Sequence, residues 1–250
     1  MKIKNIIVTF WFNRYNNIKD IFEIFNSKLG EYFPAFNMTN LPSNVDPIIP
    51  RITARSKSGH STFNMSNINV QLITDYDEKY NTNFENCLNY IEERVKKIYE
   101  ILVLNQIEVL YSAIFVNLDK IIDSPIDMIK NNLLSESVRN NTFSEVGMRT
   151  SMIVEDKFYR ILTINNAKDF TMQKQIVPGQ NEIIMPLISL HDAEIVNEYI
   201  SISYELNDKY SFDSVEDYKN NSDIMNKMFE QVKNDLSNNI EEFIQNGTIK

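Results

Sequence analysis

The chain is poor in the residues on which most catalytic and metal-binding motifs depend. Its 250 residues include 2 histidines, 1 cysteine and 5 glycines. A single cysteine excludes an internal disulfide bond, and the sequence contains no phosphate-binding loop, dinucleotide fingerprint or nucleophile elbow. It also has no cysteine and histidine spacing typical of a zinc site. The sequence therefore predicts no metal site and no cofactor, and it favours a protein that is not an enzyme without deciding the question.

The chain also lacks an excess of positive charge and a long apolar run. Its formal net charge is -9, and an acidic surface repels the phosphates of nucleic acids. No apolar run reaches the roughly 18 residues that a membrane-spanning helix needs, and the first residues lack the apolar core of a signal peptide. We therefore expect a cytoplasmic protein with no membrane partner, in which nucleic acid could bind only at a local basic patch.

The hydrophobic residues that are present, 43% of the chain, follow clear periodic patterns. Both faces of residues 6–12 are apolar, which is typical of a strand in the middle of a covered sheet. Residues 18–33 repeat apolar side chains at every third or fourth position, which predicts an amphipathic helix that Pro34 ends. The proline-rich residues 34–50 are predicted to form a loop.

Two linked hairpins and a second helix are predicted next. The hairpin strands cover residues 51–57, 60–65 and 68–76, with turns at Ser58-Gly59 and Ser66-Asn67. Thr82 and Glu85 have the spacing of a capping box at the start of a helix that reaches residue 102, and residues 107–118 form a further strand. This order matches the βαββαβ plan, so we predict a ferredoxin-like α+β half over residues 1–121.

The second half, residues 122–250, is predicted to be an antiparallel sheet with a long C-terminal helix. A short helix opens at Ser124, and the strands cover residues 143–154, 158–164, 182–190 and 200–206. A helical region is expected from Ser214 onward, and the apolar side chains of residues 225–243 lie on one side of it, which predicts that it covers the sheet. The expected fold class is therefore α+β, packed as one compact unit or as two closely associated subdomains.

One segment reverses the charge of the rest of the chain. Residues 47–74 contain no acidic residue but include several cations. If residues 51–57 form a strand, alternate side chains share one face, and His60 follows just past the turn. The candidate binding residues are Arg51, Thr53, Arg55, Lys57 and His60. They are typical of a site for a phosphate, a carboxylate-rich partner or a nucleic-acid backbone, or equally of the solvated face of an edge hairpin.

Two other segments are better explained by structure. Residues 75–78 are acidic but lack the glycine and the further oxygen ligand of a calcium-binding loop. Cys87 lies in the apolar pattern of a helix, which predicts a buried thiol. Neither segment indicates a reaction.

The leading functional hypothesis is a non-enzymatic interaction or accessory protein that binds another macromolecule through a sheet face or a sheet edge. An acidic accessory protein of this kind suits a multicomponent bacterial or phage-linked system. The alternative is a protein that binds or processes a phosphate-bearing ligand or RNA through the basic hairpin of residues 51–60. A third hypothesis is a homodimer whose sheets pair edge to edge, because ferredoxin-like units expose strands that another copy can extend.

Overall fold

The computed structural model describes residues 1–42, 44–171 and 194–247, which form a mixed helix and strand protein. The strands within these ranges are β1 (Lys2–Phe12), β2 (Phe36–Met38), β3 (Ile52–Arg55), β4 (Ser61–Met65), β5 (Asn69–Asp75), β6 (Val109–Ile121), β7 (Gly147–Val154), β8 (Phe158–Phe170) and β9 (Ile195–Asn207). The helices are α1 (Ile18–Lys28), α2 (Phe84–Leu104), α3 (Pro125–Leu133), α4 (Glu136–Arg139), α5 (Lys209–Ser214), α6 (Ser222–Asn234) and α7 (Ile240–Asn246), and a π-helical segment, Asp235–Asn239, joins α6 to α7.

The strands form one nine-stranded antiparallel sheet in the order β2-β3-β4-β5-β1-β6-β9-β8-β7. The prediction that the first strand is central is confirmed, because β1 pairs with β5 on one side and with β6 on the other. β6 in turn pairs with β9. The sheet is therefore continuous from the strands before residue 121 to those after it.

The two faces of the sheet differ in burial. On β1, Ile6, Val8 and Phe10 are fully buried, whereas Ile7 and Trp11 on the opposite face are half-buried. The buried face contacts helices, as when Tyr99 of α2 packs against Phe10 with ring centroids 5.5 Å apart. The sequence predicted that both faces of this strand would be covered, and the structure shows close covering of one.

Several predicted boundaries differ from the observed ones. The loop predicted over residues 34–50 contains the short strand β2. The cap of α2 is Asn83 rather than Thr82: its side chain accepts the backbone N–H of Asn86 at 3.0 Å, and asparagine is as effective a cap as threonine. Ser214 ends a helix instead of beginning one, and α6 begins at Ser222 after the cap Asn221. The strand predicted at residues 182–190 lies outside the described residues.

The C-terminal helical region is joined to the sheet by a buried ion pair. Arg160 of β8 is 4% exposed, Asp235 of the π-helical segment is 0% exposed, and Arg160 Nε lies 2.9 Å from Asp235 Oδ2. The Tyr204 hydroxyl of β9 donates to the same carboxylate at 2.7 Å, and the amides of Gln231 and Asn239 donate to its other oxygen at 3.0 and 2.7 Å. The carboxylate thus accepts hydrogen bonds from two strands, from α6 and from the last residue of the π-helical segment.

A second buried carboxylate, Asp208, forms no ion pair with the residues that the structure describes. It accepts the backbone N–H of Ser112 at 2.5 Å, the Asn220 amide at 2.6 Å and the hydroxyl of Tyr218. Burial raises the pKa of Asp208 above its usual value, and the hydrogen bonds from Ser112, Tyr218 and Asn220 oppose that shift without cancelling it. The cluster fastens the segment between α5 and α6 to β6.

Asp208 is expected to make stability depend on pH in a definite direction. Because its pKa is higher in the folded protein than the roughly 3.9 of an unfolded aspartate, the folded state binds the extra proton. The free energy of unfolding should therefore fall, relative to that of Asp208→Asn, as pH rises above about 4. Urea unfolding of both proteins across a pH series measures this difference, with the exposed Asp156→Asn as control. If the stability of wild type relative to Asp208→Asn were constant or rose with pH, this prediction would be contradicted.

Candidate functional site

The described residues contain no helix that is long and apolar enough to cross a membrane. Among the same residues, no three histidine, cysteine, aspartate or glutamate side chains converge as metal ligands would. The regions that remain for a functional site are the predicted basic hairpin, the less covered face of the sheet, its edges and the cavities.

Arg51, the first of the predicted site residues, is 6% exposed. Its Nη1 donates to the carbonyl oxygen of Leu41 at 2.9 Å, and its Nη2 lies 3.5 Å from that of Val45. Its backbone N–H donates to Met65 in β4. These bonds tie the segment before β3 to the sheet and occupy the guanidinium that was expected to meet a ligand.

Thr53 and Arg55 lie on the less covered face of the sheet. Thr53 pairs with Asn64 and Arg55 with Thr62 across β4, and Asn37 of β2 pairs with Thr53 on the other side. These five side chains line a shallow polar hollow of about 440 Å³. Arg55 is exposed and is the cation of this hollow.

Lys57 and His60 lie at the end of the β3–β4 hairpin. Lys57 is exposed in the turn, which closes through Gly59 at a φ of +80°, a backbone angle that favours glycine. His60 lines a different cavity, where its Nε2 lies 3.7 Å from Asp77 Oδ2. The structure therefore brings Thr53 and Arg55 together but places Arg51 and His60 elsewhere.

The two arginines of the hairpin are expected to respond differently to substitution. Arg51→Ala leaves the partly buried carbonyl oxygen of Leu41 without its donor and should lower the free energy of unfolding by about 1–3 kcal/mol. Arg55→Ala removes an exposed side chain and should change it by less than about 0.5 kcal/mol. Urea unfolding of the two variants measures both values. Equal losses would show that Arg51 has no special structural role.

The half-exposed side of the sheet, which we call the open face, carries a row of apolar side chains. The strand register places Ile73 of β5, Ile7 of β1 and Phe115 of β6 side by side, followed by Glu205 of β9 and Ile161 of β8. All five are half-buried. The row crosses five adjacent strands, so it forms a continuous surface of mixed apolar and polar character.

Glu205 interrupts this apolar row. Partial burial raises the pKa of the Glu205 carboxyl, while the Asn207 amide, which donates to it at 2.6 Å, and the charge of Arg149 act in the opposite direction. A carboxylate that is already partly removed from water loses less hydration when a partner covers it. A hydrogen-bond donor on the partner would offset the remaining cost of burial.

An aromatic corner lies at one end of the open face. Trp11 of β1 pairs with Tyr111 of β6, and their rings stack with centroids 5.9 Å apart. Phe212 of α5 packs against Tyr111 at 5.5 Å. The Trp11 side chain is half-buried on the open face.

The two edges of the sheet differ in length. β2, at one edge, has three residues, while β7, at the other, has eight. Within the described part of the chain, β7 pairs with β8 alone. Every second residue of β7 is exposed: Gly147, Arg149, Ser151 and Ile153. A strand of this length with one charged residue is a suitable template for pairing with another chain.

The second cavity, also of about 440 Å³, lies between the β3–β4 turn, the end of β5 and the start of α2. Its walls include Tyr76, Tyr80 and Tyr90, and its rim includes His60 and Asp77. We call it the tyrosine cavity. Sequence analysis missed it, although three tyrosines within fifteen residues of an acidic segment were a visible signal.

Two polar groups of the tyrosine cavity are satisfied internally. The Tyr76 hydroxyl donates to the Cys87 carbonyl oxygen at 2.6 Å, and the Cys87 thiol donates to the Tyr80 carbonyl oxygen at 3.4 Å. Burial raises the pKa of Cys87 to about 11, so the thiol stays protonated and is a poor nucleophile at neutral pH. The prediction of a buried thiol is confirmed.

No protein-family model matches the chain, and no curated protein matches its sequence at a significant level. The functional assignment below therefore rests on the geometry of the open face, the edges and the cavities.

Proposed function

We propose that this is a non-enzymatic interaction protein that binds another macromolecule through the open face of its sheet. The observation that supports this proposal is the row formed by Ile73, Ile7, Phe115 and Ile161, which presents half-exposed apolar side chains on four of five adjacent strands. A contiguous apolar surface mixed with polar groups is typical of protein–protein interfaces.

The aromatic corner extends the same surface. Tryptophan and tyrosine are enriched among the residues that dominate binding energies, because they bury a large area and lose few rotamers. Trp11 and Tyr111 stack on each other, so little side-chain freedom remains to be lost on binding.

The proposal includes a cytoplasmic location and a role in a multicomponent bacterial or phage-linked system. Both are suited to an acidic accessory protein.

The finer fold assignment is part of the proposal as well. A ferredoxin-like arrangement of residues 1–121 is supported by the neighbouring strands β4, β5, β1 and β6, whose order corresponds to strands 2, 3, 1 and 4 of that plan. Covering of the second half by the C-terminal helical region is supported by Asp235, which accepts the Tyr204 hydroxyl of β9 and pairs with Arg160 of β8. The division at residue 121 stays a prediction.

A charge introduced into the apolar row should abolish binding without unfolding the protein. Phe115→Lys places an ammonium opposite Glu205, the residue that pairs with Phe115 across β6 and β9. The opposite charges let the folded protein tolerate the lysine, whereas a partner loses its apolar contact with the phenyl ring. The matched control is Val103→Lys, at an exposed position of α2. Tagged wild type and both variants are purified from the native cell, and the co-purifying proteins are quantified by mass spectrometry.

The proposal expects one or a few partners at near-stoichiometric amounts with wild type and with Val103→Lys. It also expects at least a tenfold loss of those partners with Phe115→Lys. Retention of every partner by Phe115→Lys, with circular dichroism equal to that of wild type, would contradict the use of the open face.

Pairing of two copies through β7 is a second route to association. It is supported by the eight-residue length of this edge and by its single charged residue, Arg149. Sedimentation velocity of the purified protein tests it: a dimer that Phe115→Lys leaves intact would favour the edge over the open face.

Binding of a phosphate-bearing ligand or RNA has narrower support. Arg55 lies in a hollow with Thr53, Thr62 and Asn64, whose polar side chains suit a phosphate. Arg51 is bonded to backbone carbonyls and His60 lies beside Asp77. Arg55 is therefore the main cation that could bind a phosphate in this alternative. Loss of RNA or inorganic phosphate binding in Arg55→Ala would favour it over the interaction role.

A further inference from the structure

The tyrosine cavity has the shape and the charge of a site for an organic cation. Its volume of about 440 Å³ falls within the range of small-ligand pockets. No lysine or arginine is among the residues that line it, whereas two aspartates are. We propose that this cavity binds a primary alkylammonium group, with the apolar stem against the tyrosine rings and the ammonium near the carboxylates.

The walls of the cavity include the aromatic side chains of Tyr76, Tyr80 and Tyr90. The Tyr76 and Tyr90 rings meet edge to face with centroids 6.5 Å apart. The Tyr76 hydroxyl is bound to the Cys87 carbonyl, and burial raises the pKa of the Tyr76 phenol, so the ring stays neutral and its hydroxyl is engaged. Neutral tyrosine rings present a negative face to a cation.

The rings of Tyr80 and Tyr90 already contact cations of the protein. The Arg94 guanidinium lies 3.5 Å from the centroid of Tyr90, and the Lys79 ammonium lies 5.1 Å from that of Tyr80. Neither Arg94 nor Lys79 lines the cavity. These are cation–π contacts of the kind that we propose for the ligand.

The carboxylates lie at the rim, where an ammonium on a short stem would reach them. Asp75 is exposed at the end of β5, and its backbone N–H donates to the His60 carbonyl oxygen at 2.9 Å. The Asp77 carboxylate lies beside His60 and also accepts the Lys79 backbone N–H at 3.2 Å. Asp75 and Asp77 give the rim a negative potential, which the Lys79 ammonium near Asp77 partly offsets, so a cation is favoured there over a carboxylate or phosphate ligand.

Within the part of the chain that the structure describes, the lining of the cavity away from the rim carries no charged side chain. The Cys87 thiol is protonated because burial raises its pKa to about 11, and it forms part of the apolar wall. The cavity therefore combines an uncharged aromatic interior with an anionic rim, which selects a ligand that is apolar along its stem and positive at its end. Two sources provide this chemistry, a free amine and the side chain of a lysine.

Binding is tested by NMR with four probes added to the intact protein. n-Pentylammonium chloride represents a free amine, and Nα-acetyl-lysine N-methylamide represents a lysine side chain. 1-Pentanol and sodium hexanoate are the neutral and anionic comparators. We expect saturable shifts of the backbone amides of residues 74–90 with one or both ammonium probes, at a Kd of about 1 mM or below. The probe that binds more tightly identifies the source.

Two variants with matched controls locate the interaction. Tyr80→Leu keeps an apolar side chain but removes the ring, and Asp75→Asn removes one rim charge. Each should weaken ammonium binding about fivefold, the effect of roughly one cation–π or charge contact. Tyr210→Leu and Asp156→Asn, both outside the cavity, should leave the Kd unchanged. Binding to wild type should also weaken in 0.5 M sodium chloride.

Three results would overturn the inference. They are equal affinity for 1-pentanol, tighter binding of hexanoate than of either ammonium probe, and absence of shifts in residues 74–90 at 20 mM ammonium probe. None of them bears on the open face, which Phe115→Lys tests separately.

Discussion

Replacement of Asp235 by alanine is expected to lower the free energy of unfolding by about 3–5 kcal/mol, because it leaves the buried Arg160 guanidinium without its counter-charge. The loss should be larger than for most single substitutions, since the Tyr204 hydroxyl and the amides of Gln231 and Asn239 lose their acceptor as well. Urea unfolding followed by circular dichroism measures it.

A double substitution separates the ion pair from the packing around it. When both charges are replaced by apolar side chains of similar size, as in Arg160→Met with Asp235→Leu, the cost of an unpaired buried charge disappears. The double variant should therefore be more stable than Asp235→Ala. A double variant that is as unstable as the single one would show that the stability depends on the packing of the π-helical segment and not on the unpaired charge.

Phe63→Ala is expected to lower the free energy of unfolding by about 3–5 kcal/mol, the usual cost of removing a buried phenyl ring. Phe63 is 0% exposed and contacts three other rings: Phe25 of α1 at 4.9 Å, Phe36 of β2 at 5.3 Å and Phe33 at 6.0 Å between centroids. Phe63 therefore joins α1, the segment after α1 and the edge strand β2 to β4.

The cavity left by Phe63→Ala is responsible for most of this loss, so a variant that fills more of the space should recover stability. Phe63→Leu should lose less than half as much as Phe63→Ala. Phe170→Ala, at a position that is 37% exposed, is the control and should have a small effect. Thermal and urea unfolding measure all three. Similar losses for Phe63→Ala and Phe170→Ala would contradict the central role of the ring cluster.

The periodic parts of the fold could be predicted from the sequence. Alternation at Ile200, Ile202, Tyr204 and Leu206 predicted a strand with one buried face, and all four side chains are buried in β9. The apolar stripe of α2 and the turn at residues 155–157 were predicted for the same reason, because helix and strand periods are local properties of the chain.

Contacts between distant parts of the chain could not be predicted in this way. Arg160 and Asp235 are separated by 75 residues, and no local pattern indicates that they meet. Arg51 fits a solvent-facing strand position by alternation, yet it lies just before β3 and turns to the carbonyl groups of residues 41–45. The choice of partner depends on tertiary packing, which periodicity does not contain.

The candidate surfaces show the same division. The sequence predicted that both faces of β1 would be covered, whereas one face is half-exposed, and the register that aligns Ile7 with Ile73 and Phe115 is a property of strand pairing. The tyrosine cavity likewise depends on how α2 approaches the β3–β4 turn and the end of β5. Residue types were visible in the sequence, and their neighbours were not.

Thiol labelling in the native cell tests the open face most directly, because the chain has one cysteine and that thiol is buried. Ser203→Cys introduces a reactive thiol on the open face, and Ser237→Cys introduces one at an exposed position of the π-helical segment. With expression from the native locus, maleimide should label Ser203→Cys at least tenfold more slowly in the cell than after purification, and Ser237→Cys equally in both. Equal labelling of Ser203→Cys in both states would contradict the account.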